Sequence, residues 1–140
     1  MVDFVDGVVD KTVRAAATAL LGAFFIVAGA NHFVHPSVYQ RIVPPSLPAP
    51  ALLVAISGAA EILGGIGVLL PATRKLAGAG LIVLLVAVFP ANAYMAQHAQ
   101  LYRDIASAAI LDIRLPFQAV LIGWVWWACF SRASARKVSP

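Results

Sequence analysis

The chain has 140 residues, 61% of them hydrophobic and only 11% charged, with a formal net charge of +4. Soluble domains are nearer 45–50% apolar and about 25% charged, so the composition describes one lipid-embedded domain and argues against a water-soluble enzyme. The basic excess fits the flanks of membrane spans and gives no reason to expect nucleic acid as a partner.

In chain order, residues 1–13 carry Asp3, Asp6 and Asp10 among apolar neighbours. A secretory leader would open with basic residues, so this segment reads as a short interfacial helix ahead of a retained span. The first predicted span is 15–34. The second is 51–70, entered through Pro48 and Pro50 and closed by Pro71. The third is 76–97. Residues 99–111 predict another interfacial helix. The fourth span is 113–130, with Asp112 as its N-cap and Pro116 in its first turn, where a missing N–H matters little. About twenty residues at 1.5 Å each cross the roughly 30 Å hydrocarbon layer, so each segment is long enough to span it. Glycines 58, 64, 65 and 67 in the second span and 78 and 80 in the third should let helices approach closely. Cys129, the single cysteine, has no disulfide partner within the chain and no C-x-x-C pair exists. Dithiol chemistry by this chain alone is excluded, and Cys129 reads as a small apolar filler.

The expected fold is all-α, an integral membrane four-helix bundle. Its orientation follows from loop charges. Lys11, Arg14, Arg74, Lys75, Arg132, Arg136 and Lys137 fall on one side, and Arg41, Arg103 and Arg114 on the other. Seven against three puts both termini in the cytoplasm. Trp124, Trp126 and Trp127 then lie in the cytoplasmic half of the fourth span, the latter two at the level of an aromatic belt.

Glu61 is the most informative residue. It stands near the middle of the second span with no charge beside it. A carboxyl at that depth is costly in lipid and is kept where something solvates or pairs with it. It should therefore face the interior, within reach of His32, Asn92, Arg114 or Gln118. Arg114 is a feasible ion partner, since its side chain covers roughly the difference in depth between the two positions.

Other polar residues gather toward the end of the fold opposite Arg74. Asn31, His32, His35 and Tyr39 follow the first span, Asn92, Tyr94 and His98 close the third, and Arg114 and Gln118 open the fourth. Pro90 cannot donate to the carbonyl of Val86, so the third span should kink and leave an acceptor free. Each residue also has a plain reading. Histidines and tyrosines are common at headgroup depth, and Asn92 and Gln118 can simply bond between helices. The His32-x-x-His35 pair has no carboxylate or cysteine to complete a metal site, and no histidine lies near mid-span for a haem.

Several of these segments resemble one known family. Ala28-Gly29-Ala30-Asn31-His32-Phe33, then Tyr39 and Ile42-Val43-Pro44-Pro45-Ser46-Leu47-Pro48, are similar to the opening of DoxX-like small four-helix membrane proteins. Ser57-Gly58-Ala59-Ala60-Glu61-Ile62-Leu63-Gly64-Gly65 resembles that family's second helix, Phe89-Pro90-Ala91-Asn92-Ala93-Tyr94-Met95 its third, and Arg114-Leu115-Pro116-Phe117-Gln118 its fourth. The likeness runs over about residues 20–127 and leaves 100–111 unmatched. It implies a multi-pass protein of a bacterial-type plasma (inner) membrane, associated with redox complexes or with receptor assembly. It transfers no catalytic set.

Two functions follow nearly level. One is a pocket for a lipophilic ligand, with quinone the candidate, in which Glu61 handles protons and His32, Asn92, Tyr94, Arg114 and Gln118 hold the ligand. A carboxyl, an imidazole and a cation around an apolar cleft suit quinone oxygens, which gain protons as they gain electrons. The chain would then be a quinone-linked oxidoreductase subunit acting with a partner, with no covalent cofactor of its own. The other is a structural or assembly subunit docking a protein partner or a second copy of itself. A small proton-linked transporter ranks third, because no inverted repeat is evident.

Overall fold

The computed structural model describes residues 2–131, and the described residues form five α-helices and one 3₁₀ turn, with no strand. The helices are α1 (Val2–Val34), α2 (Pro36–Ile42), α3 (Pro50–Leu69), α4 (Arg74–Gln97) and α5 (Ala108–Phe130), with the 3₁₀ turn at Ala99–Tyr102 before α5. Four stretches are long and apolar enough to cross a membrane: Val9–Val34, Pro50–Leu69, Arg74–Gln97 and Ala108–Phe130. Their outward faces carry large apolar side chains such as Leu20, Val27, Leu63, Leu76, Val83 and Val120, all more than half exposed. Of the charges used to read orientation, Arg132, Arg136 and Lys137 lie outside the described residues.

Element boundaries differ from expectation in three places. The segment 1–13 is no separate interfacial helix. The structure carries α1 unbroken from Val2, since neither proline nor glycine occurs between Val8 and Leu21 to stop it. The segment 99–111 is likewise no interfacial helix, because the chain there makes only the 3₁₀ turn and then starts α5 at Ala108. Its N-cap is Ser107, whose hydroxyl accepts from the Ile110 amide, and not Asp112. Pro116 therefore lies inside the helix, where both it and Asp112, the residue whose carbonyl it leaves without a donor, are exposed. Pro90 also lies inside a helix, since α4 runs across it to Gln97, the expected end of the third span.

Glycine contacts set the packing. A Cβ on Gly29 would stand 2.5 Å from the Gly58 carbonyl oxygen, and one on Gly65 2.7 Å from that of Gly22, so α1 and α3 touch backbone to backbone. Lipid is as apolar as leucine, so close van der Waals contact rather than water exclusion holds such helices together. Gly64 takes the Leu81 side chain from α4, and Gly78 takes Cys129 from α5. Gly80 has no neighbour within 4 Å and contributes nothing to this packing. The 70–73 turn closes the end of α3, with the Thr73 hydroxyl donating to the Gly67 carbonyl and Arg74 Nε to that of Val68, each at 2.8 Å. Those carbonyls would otherwise be orphans at a helix end.

Two apolar cores result. The larger, at the Arg74 end, includes Leu21, Phe25, Val68, Leu81, Val125 and Cys129. The smaller joins Ile42, Met95, Tyr102 and Leu111 at the α2 end. Along the remaining seam, α1 and α5 touch sparsely. Arg14 donates to the Ser131 carbonyl and lies 5.3 Å over the Trp127 ring, and further along Phe24 meets Phe117 edge-on at 6.4 Å.

Candidate ligand cavity

Between the two cores the helices line a partly open cavity of about 490 Å³. Its walls are mostly apolar, with Phe25, Leu85 and Leu121 from the larger core at one end. Tyr39, Ile42, Val43, Pro44 and Leu47, from α2 and the loop after it, line the other end. His32, Ser57, Glu61, Asn92, Arg114 and Gln118 supply its polar lining.

The acidic wall is built by the tight α1–α3 contact, which sets His32 Nε2 3.7 Å from Glu61 Oε2. That is close enough for charge to matter but too long for a direct hydrogen bond. Glu61 Oε2 is buried and has no hydrogen-bond partner. The other edge of the imidazole is fixed. The Ser57 hydroxyl donates to the Val54 carbonyl at 3.0 Å, which leaves its oxygen to accept from His32 Nδ1 at 3.1 Å. Val54 O lies 3.3 Å from the same nitrogen. With the proton on Nδ1, the neutral ring presents the Nε2 lone pair to Glu61. Tyr39 covers the imidazole at a centroid distance of 3.9 Å, and its hydroxyl accepts from Asn31 at 2.8 Å.

The facing wall comes from α4 and α5. Asn92 Nδ2 donates to Gln118 Oε1 at 2.9 Å, and Gln118 Nε2 donates to the Leu85 carbonyl. The buried amide of Gln118 is thereby satisfied, while Asn92 keeps its own carbonyl oxygen for a ligand. Gln118 thus reaches Leu85 and not the Val86 carbonyl that Pro90 leaves free. Arg114 is half-buried on this lining and close enough to act electrostatically on His32. Among the described residues no carboxylate lies within 4.0 Å of it, so the feasible Glu61–Arg114 ion pair is not formed and His32 stands beside Glu61 instead.

Five of the six expected site residues therefore line one cavity: Glu61, His32, Asn92, Arg114 and Gln118. Tyr94 does not. It packs against the smaller core, stacked on His98 at 4.2 Å, and its carbonyl accepts from His98 Nδ1 at 2.9 Å. Two helical residues beyond Asn92, its side chain leaves the helix on a different face. Ser57 was not singled out from sequence, although it lies four residues before Glu61 and so on the same helix face. Among the described residues no group of three or more His, Cys, Asp or Glu could hold a metal ion.

Over the α2 end, the Arg41 guanidinium donates to both Asp104 oxygens, at 2.6 and 3.1 Å, and the Tyr102 hydroxyl donates to the Arg41 carbonyl at 3.3 Å. The bond to Arg41 holds the Asp104 carboxyl below the usual aspartate range, and burial pushes the Tyr102 hydroxyl up. These contacts tie α2, and with it one end of the cavity, to the segment before α5.

The chain belongs to the family described as a domain of unknown function (DUF8561), whose model matches residues 21–129. No curated protein and no solved structure matches it.

Proposed function

We propose that this is a DoxX-like, multi-pass protein of a bacterial-type inner membrane, a four-helix bundle with both termini cytoplasmic. Its polar cavity binds a lipophilic ligand, quinone, for a redox complex formed with a partner protein. One observation carries the reading: the buried Glu61 Oε2 stands unpartnered, 3.7 Å from a histidine nitrogen whose lone pair faces it. An unmade hydrogen bond at a buried acceptor typically costs about 1–3 kcal/mol, and a ligand oxygen or hydroxyl between the two groups would remove that cost. His32 and Glu61 can pass a proton to such an oxygen, and Arg114 can steady negative charge that develops on it. The cavity volume lies within the roughly 300–1,000 Å³ usual for small-molecule sites.

The test is extraction of the protein into native nanodiscs, followed by solvent extraction of the purified particle. Quinone near one equivalent supports the pocket. Partner proteins at fixed stoichiometry with no lipophilic ligand would instead favour an assembly subunit.

A further inference from the structure

We infer that the cavity is filled sideways from the bilayer, so that its ligand is a tailed lipid whose head sits beside Glu61 while its chain leaves between α1 and α5. This rests on the ligand reading above and adds the class of molecule and its path. The α2 end of the cavity is covered by Tyr39, Ile42 and Pro44, and α2 is anchored by the two-fold Arg41–Asp104 contact. Seams between neighbouring helices differ in how they are closed. Backbone-close glycine contacts seal α1 to α3, and the Gly64–Leu81 contact holds α3 to α4 at the Arg74 end.

The α1–α5 seam has no glycine contact and is the most sparsely packed seam between neighbouring long helices. Phe24 and Phe117 belong to the cavity lining and are themselves 38% and 48% exposed, so their rings form part of the partition between cavity and lipid. They touch only edge to face, at 6.4 Å. Rotation of two aromatic side chains opens that partition without moving a helix, since χ1 and χ2 have several staggered or broad wells. A cavity of about 490 Å³ takes a quinone ring and the start of a chain but not a long isoprenoid, whose remainder must lie outside. Lipid is the only environment in which that remainder is at ease.

The test uses the full chain in nanodiscs, in a Cys129→Ala background carrying Phe24→Cys and Phe117→Cys, with or without bridging by a short bis-maleimide. Binding is measured for a tail-less benzoquinone and for the same head bearing a decaprenyl tail, both corrected for partition into the bilayer. Before bridging, both should bind, the tailed quinone at least tenfold more tightly. After bridging, tailed binding should fall at least tenfold while the tail-less compound still binds. Circular dichroism of the bridged protein checks that the helices persist. Tailed binding unchanged by the bridge, or equal affinity of the two compounds, overturns the lateral path and leaves the pocket standing. Binding of neither compound to the wild-type chain overturns the ligand reading and the path together.

Discussion

Glu61 is kept where it lowers stability, since its Oε2 is buried and makes no hydrogen bond. Replacing a buried unsatisfied polar group by an apolar one of similar size is neutral or stabilising. Glu61→Leu should therefore melt in detergent no lower than wild type, and Glu61→Gln should fold equally well, while both lose ligand binding or turnover. Quinone titration alongside thermal unfolding checks this, and a Leu variant several degrees less stable would show the carboxyl to be structural. Sequence alone showed that a carboxyl at this depth needs polar company. It could not choose among His32, Asn92, Arg114 and Gln118, because the choice depends on how two helices rotate against each other. Glycine contacts between α1 and α3 decide it: Gly58 lies against the Cβ of His32 and Gly29 against that of Glu61. Tyr94 was misplaced for the same reason, its helix face being set by the smaller core.

At the scale of elements, the α1–α3 pair should be the least tolerant of added volume. Gly29→Ala puts a methyl 2.5 Å from a carbonyl oxygen that cannot move aside, whereas Gly80→Ala meets nothing within 4 Å. Overpacking of this kind costs about 1–3 kcal/mol, while alanine at an open helical position gains up to about 1 kcal/mol. Thermal unfolding of the two variants should move in opposite directions, and equal melting points would contradict the packing described. The α2 latch has a pH dependence. The Asp104 pKa is lowered by its bond to Arg41, so its contribution is present above the ordinary aspartate value of about 4 and is lost as pH falls through the still lower folded value. Hydrogen exchange in α2, corrected for intrinsic rate, should rise below about pH 4 in wild type and at every pH in Asp104→Asn. Unchanged protection in the Asn variant would show that the latch does not hold α2. The four long apolar helices were legible from hydropathy, as were the prolines and the 70–73 turn between the second and third. The start of α5 was not, because Ser107 and Asp112 are both competent caps and only tertiary packing of Leu111 selects the earlier one.

For the molecule as a whole, the proposed orientation and the inferred lateral seam belong to one picture, in which the cavity faces lipid and the more basic end faces the cytoplasm. Reporter fusions at Thr73 and Pro140 should both report cytoplasm, and a periplasmic signal from either would reverse the assignment. The central claim is that the cavity between the two cores holds a quinone against His32 and Glu61. Photoaffinity labelling tests it most directly, with an azido-quinone in native membranes and the labelled residues mapped by peptide mass spectrometry. The account predicts labels on residues lining the cavity around His32, Glu61 and Phe117, suppressed by excess unlabelled quinone and weakened in Glu61→Leu. Labels confined to outward-facing residues such as Leu63 or Val120, and insensitive to competitor, would contradict it.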